Sequence, residues 1–153
     1  AGAVVDVVEV VGVLGGSVER GASSMKVTTR SDEAQKHFGD GLDAAYAYRH
    51  AEARLSFEAA LRADQSCAMC AWGIAYAASP DIDAPDSDAQ RVAQSAIYAA
   101  NALSGGATER ERDIISALTT RFEDGYATTA ARDSAYARAL RALAERHCDD
   151  AFR

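Results

Sequence analysis

Proline is nearly absent from this 153-residue chain, at 2 residues, and aromatics make up only 7%. A chain so poor in helix breakers is free to run in long helices, and 35 alanines favour close helix packing over a large sheet. No apolar run approaches the roughly 18 residues that span a bilayer, because Asp6, Glu9 and Gly12 interrupt the Val-rich start, so no membrane span is expected. An excess of base is also lacking. Lys and Arg total 16 against 23 acids, a net charge of −7, which argues against nucleic acid as a partner. With 48% hydrophobic residues the chain still has material for a globular core, which excludes a disordered protein. Three cysteines, Cys67, Cys70 and Cys148, are too few for a disulfide scaffold.

Two compositions divide what is present. Nine of the ten valines precede residue 28, while 32 of the 35 alanines lie at or after residue 34. The run from Ala3 to Leu14 is dense in β-branched residues, which lose rotamer freedom in helices and suit a pleated surface, so it reads as a strand ended by Gly15-Gly16. Residues 1–30 therefore form an extended, β-like arm and residues 31–153 a helical domain. The chain opens on Ala1 with no charged segment before the apolar stretch, so the start reads either as a processed end or as a trimmed one, and the expectation is an exported protein, periplasmic or extracellular.

From Ser31 the apolar period turns helical. Ser31 is placed as an N-cap and Phe38, Leu42, Ala45 and Tyr46 on one face of a helix reaching about Tyr48. Further helices are expected at Ala51–Ala63, Ser66–Ala78, Ala89–Leu103, from Thr108 to Phe122, and at Thr129–His147. Short connections favour antiparallel neighbours, so six helices make three hairpins. Between the third and fourth helix both prolines and several aspartates mark a loop, from Ser79 to Asp88.

An internal correspondence connects the first two hairpins. Gly41 and Gly73 stand 32 residues apart in similar surroundings, each placing a glycine where two helices come close. The first unit adds Ala53, Phe57 and Ala60, which follow Gly41 in successive steps of 12, 4 and 3 residues. With these residues, and with the segments His50-Ala51-Glu52-Ala53 and Cys67 to Gly73, residues 33–80 resemble bacterial tetratricopeptide repeat proteins, many of them exported. The resemblance implies an all-α fold, antiparallel helical hairpins stacked as a short solenoid, serving protein interaction without catalysis. The Val-rich arm has no counterpart in such a repeat.

Candidate chemistry is sparse. Cys67 and Cys70 share a helix face, which suits packed thiols, an oxidised pair or a soft-metal site, and packing ranks first because further ligands are wanting. Covalent haem is disfavoured because Ala71, not histidine, follows Cys70. Asp81, Asp83, Asp86 and Asp88 lack the glycine and terminal glutamate of a calcium loop, and read as solvated loop and caps. His37, His50 and His147 read as structural, and Trp72, Tyr76, Tyr46, Tyr48, Phe57 and Tyr98 as core. No triad, phosphate loop, metal site or cofactor is expected, and no enzyme.

The arm directs the functional expectation. A lone strand leaves backbone donors and acceptors unpaired, and helices offer no sheet edge to complete it. Val4, Val5, Val7, Val8, Val10, Val11, Val13 and Leu14 are therefore expected to join another copy, giving a homo-oligomer or polymer through a neighbour's strand or groove. The end face after His147, which lacks a capping helix in the sequence, is expected to be covered as well. Two alternatives stand beside this self-associating scaffold: a monomeric adaptor for a peptide or protein, and a thiol or metal handler using Cys67 and Cys70.

Overall fold

The computed structural model describes residues 25–79, 88–123, 125 and 127–147. Among these residues there are six α-helices and no strand: α1 (Asp32–Tyr46), α2 (His50–Ala63), α3 (Ala68–Ala78), α4 (Asp88–Leu103), α5 (Glu109–Thr119) and α6 (Thr129–His147). The described residues are all-α, as the composition predicts. The Val-rich run and most of the aspartate loop lie outside the described residues.

Several helices begin where a side chain satisfies a free amide group, although α2 follows Arg49 without a side-chain cap. Ser31 Oγ accepts the Ala34 N–H at 3.1 Å, with Asp32 and Glu33 in the first turn of α1. At α5 a capping box closes in both directions: Thr108 Oγ1 accepts from Glu111 N–H at 3.1 Å, and Glu111 Oε1 accepts from Thr108 N–H at 2.9 Å. Thr128 Oγ1 accepts the Ala131 N–H at 3.0 Å ahead of α6.

Helix α1 stops at Tyr46, two residues short of the expected end. Arg49 N–H bonds the Ala44 carbonyl at 2.8 Å and Tyr48 N–H bonds that of Ala45 at 3.0 Å, a Schellman turn with Tyr48 at φ 59°. A non-glycine residue in this left-handed conformation costs about 1–2 kcal/mol. Helix α3 starts at Ala68 rather than Ser66, because Asp64 Oδ1 takes both the Ser66 N–H (3.0 Å) and its hydroxyl (2.6 Å), holding residues 64–66 as a turn.

Packing follows chain order. Helix α2 lies against α1 and α3, α3 against α4, α4 against α5 and α5 against α6, while α3 also reaches α1 and α5. All eleven residues of α3 are buried, consistent with a helix apolar on every side and without a charged residue. The other helices bury one stripe each, such as Ala93, Ala96, Ile97 and Ala100 of α4 and Tyr136, Leu140, Leu143 and His147 of α6.

Phe57 of α2 is the wedge at the centre. Its ring lies 5.5 Å from that of Phe38 and faces both repeat glycines. A Cβ at Gly41 would stand 2.7 Å from Phe57 Cδ1, and one at Gly73 would stand 2.5 Å from Phe57 Cγ. The two glycines thus admit one aromatic ring between α1 and α3, which gives their correspondence a physical cause. Trp72, Phe57 and Phe38 are the largest fully buried side chains, and the core extends as one cluster from Met25 to Leu143.

Not all aromatics join it. Tyr46, Tyr48 and Tyr98, expected in the core with Trp72, Tyr76 and Phe57, are 58%, 75% and 70% exposed. Tyr46 and Tyr98 each directly follow a buried residue, Ala45 and Ile97, and one step of about 100° along a helix turns them outward. Tyr48 sits in the turn.

Candidate functional site: the fastened N-terminal segment and an apolar groove

Residues 25–30 are the last part of the predicted arm, and they are fixed to the helical body by side chains from three places. Gln35 of α1 grips the backbone on both edges, its Oε1 accepting the Val27 N–H at 3.0 Å and its Nε2 donating to the Met25 carbonyl at 2.9 Å. Glu111 of α5 takes the Thr28 N–H at 2.9 Å on Oε2 and the Thr28 hydroxyl at 2.5 Å on Oε1. Thr29 Oγ1 donates to Asp64 Oδ2 at 2.5 Å, just beyond α2. Met25 and Val27 bury their side chains in the core.

Glu111 is a buried carboxylate, and its oxygens are spent on backbone and hydroxyl donors. Burial without such partners would be costly. The hydrogen bonds that Asp64 receives from Ser66 first, then Thr29, hold its carboxyl below the ordinary value of 3.8, outweighing its slight desolvation.

A second carboxylate of α5, two residues on from Glu111, holds the C-terminal turn of α6. Asp113 Oδ2 lies 2.8 Å from His147 Nε2 and 2.9 Å from Arg146 Nη1, joining α5 to the last turn of α6. Burial pushes the Asp113 carboxyl up, but the bonds and charges of His147 and Arg146 outweigh it, and the net shift is below 3.8. Arg121, whose guanidinium stands 5.4 Å from the Tyr136 ring centroid, adds another tie to α6.

The sequence-derived candidates separate. Cys67 and Cys70 form a disulfide with Cα atoms 5.3 Å apart, and both residues are fully buried. Cys67 also caps α3, its sulfur accepting the Cys70 N–H at 3.1 Å. The pair is thus oxidised rather than two packed thiols. His37 lies 3.6 Å from Glu33, His50 sits beside the Tyr48 ring, and His147 faces Asp113, so the three histidines do not meet. Asp88 is exposed and pairs with Arg91. Among the described residues no group of three His, Cys, Asp or Glu side chains is arranged to hold a metal, and no helix is long and apolar enough to cross a membrane. The candidate arm residues, Val4 to Leu14, and Cys148 lie outside the described residues.

Surface relief is shallow and mostly polar at its margins. Among the described residues an apolar groove of about 410 Å³ opens between α2, α3 and α4, lined by Leu61, Ile74, Ala99 and Leu103 together with Glu58, Arg62 and Gln65. Sequence reasoning missed both this groove and the fastening residues Gln35 and Glu111. For Glu111 a signal was present, since Thr108 and Glu111 have capping-box spacing, although nothing local points to Thr28.

No family model, curated protein or solved structure matches the chain.

Proposed function

We propose that this protein is a non-enzymatic helical-repeat scaffold of the tetratricopeptide type, self-associating through its Val-rich N-terminal arm into an oligomer or extracellular fibre. The observation that carries the reading is the fastening of residues 25–29 by Gln35, Glu111 and Asp64. It gives the Val-rich run a fixed root on a folded body, and that body has no strand edge among its described residues to complete a strand. The residues of the run must bury their side chains against something, and a second copy supplies it.

Two other readings find less support. An adaptor of the repeat type needs an open inner surface, whereas every residue of α3 is buried and Met25 and Val27 already belong to the core. A thiol handler needs a sulfur within reach of its substrate, whereas Cys67 and Cys70 are fully buried. Their disulfide favours an oxidising compartment, in keeping with export.

The test is light scattering and electron microscopy on the intact chain and on a chain lacking residues 1–20. The proposal expects large species from the first and a folded monomer from the second. Monomers from both would refute it.

A further inference from the structure

We infer that the seat for the Val-rich run is the groove between α2, α3 and α4 of a second copy, with Arg62 meeting a carboxylate of the run. The inference rests on the self-association proposed above and names its receiving surface.

Chemistry matches on both sides. The groove is lined by the apolar Leu61, Ile74, Ala99 and Leu103 together with Gln65 and two charged residues, Glu58 and Arg62. Glu58 is already neutralised by Arg54 at 2.9 Å, and Arg62 forms no ion pair among the described residues. The groove therefore presents one uncompensated positive charge. Residues 3–14 carry two acids, Asp6 and Glu9, and no base. In an extended segment, even and odd positions face opposite ways, so Asp6 shares a face with Val4, Val8, Val10 and Leu14, and Glu9 shares the other with Val5, Val7, Val11 and Val13. Either face lays aliphatic side chains against these apolar residues and offers one carboxylate to Arg62.

Self-association through the arm, as proposed above, makes the receiving groove that of a second copy. Going backwards from Thr29, the chain runs along α1, where Gln35 holds Val27 and Met25. The main contacts of α1 are with α2 and α3, whereas those of α4 are with α3 and α5. Residues 25–27 thus lie along α1, whereas the groove is lined from α2, α3 and α4 and by no residue of α1. Donor and acceptor surfaces at different places on one body make a heterologous contact, which propagates head to tail.

Complementation between two full-length variants tests the inference. Ala99→Arg fills the groove and keeps the arm, while Val7→Asp with Val8→Asp spoils the arm and keeps the groove; Leu103→Glu replaces Ala99→Arg if circular dichroism shows that the latter does not fold. Light scattering should find each variant monomeric alone, and their equimolar mixture should double in mass. Arg62→Glu in the otherwise intact chain should weaken association roughly fivefold, the effect of one exposed ion pair worth about 1 kcal/mol. Assembly of the groove variant alone would overturn the groove while leaving self-association through the arm intact. If the doubly substituted arm variant assembles, or the intact chain does not, the proposed function fails with it. Variants that stay monomeric when mixed, beside an intact chain that assembles, would overturn the pairing of this arm with this groove.

Discussion

Substituting alanine for Gly73 tests whether Phe57 is the wedge that sets the distance between α1 and α3. In an open helix this change stabilises by about 1 kcal/mol, because glycine carries more backbone entropy into the helix. At Gly73 the added methyl carbon would lie 2.5 Å from Phe57 Cγ and 2.6 Å from Cε1. Cγ is the root of the ring rather than its far end, and Phe38 and Gly41 also stand against the ring, which limits how it can shift. Overpacking costs about 1–3 kcal/mol and more where relaxation is blocked, so Gly73→Ala should lose about 2 kcal/mol net. Urea unfolding followed by fluorescence of Trp72, the single tryptophan and fully buried beside Gly73, measures this directly. Gly105→Ala, where an added Cβ meets nothing within 4 Å, is the control and should cost little or nothing. Phe57→Leu vacates part of the contested space, so the double variant Phe57→Leu/Gly73→Ala should be at least about 1 kcal/mol more stable than the sum of the single losses. Additive losses, or a Gly73→Ala protein as stable as the Gly105→Ala control, would refute the wedge.

Three further perturbations probe the fastenings. Glu111→Ala removes the capping box together with both bonds to Thr28, and a loss of about 2–4 kcal/mol in chemical denaturation is expected, with faster proteolysis near residue 28. The Cys67–Cys70 loop is so short that its closure entropy amounts to about 2 kcal/mol, and its burial hides it from reductant. Thiol titration of a Cys148→Ser chain should therefore detect neither cysteine in the native protein under mild reductant, and both after reduction in denaturant. Asp64 and Asp113 have folded-state carboxyls below 3.8, so their contribution to stability is fully present above that pH and is lost as pH falls through the lowered folded-state values. Asp64→Asn and Asp113→Asn should flatten the fall of melting temperature below about pH 4 relative to the unsubstituted chain.

Local signals made the helices legible: Ser31 and Thr108 as caps, the glycine breakers, and alanine-rich stripes at helical spacing. What escaped was set by partners distant in sequence. The spacing of Thr108 and Glu111 marks a helix start, yet the same carboxylate also clamps Thr28, 83 residues away, and no local window contains both. Gly41 and Gly73 announced close helix approach, but only the packed structure brings both to one ring, that of Phe57. Tyr46, Tyr48 and Tyr98 lie outside the core because aromatic character alone does not bury a residue: Tyr46 and Tyr98 point outward by their angular position on a helix, and Tyr48 sits in a turn. The spacing of Cys67 and Cys70 fits several chemistries, and only the distance between the sulfur atoms separates a disulfide from two thiols.

If the arm of one copy docks into the folded groove of another, association and stability are linked, since the groove exists only in the folded state. Each tenfold rise in free partner above the dissociation constant then adds up to about 1.4 kcal/mol to the stability of the acceptor. For a chain of this length that corresponds to a rise in melting temperature of about 3–6 °C per decade. Calorimetry of the intact chain across a hundredfold range of concentration should show this climb. The Val7→Asp/Val8→Asp variant should melt at one temperature throughout, because its Gln35, Glu111 and Asp64 fastenings are intact while its docking surface is not. A concentration-independent melting point for the intact chain, with its mass by light scattering rising over the same range, would mean that the chains join without loading the groove. The helical body would then be a passenger on an arm-to-arm assembly.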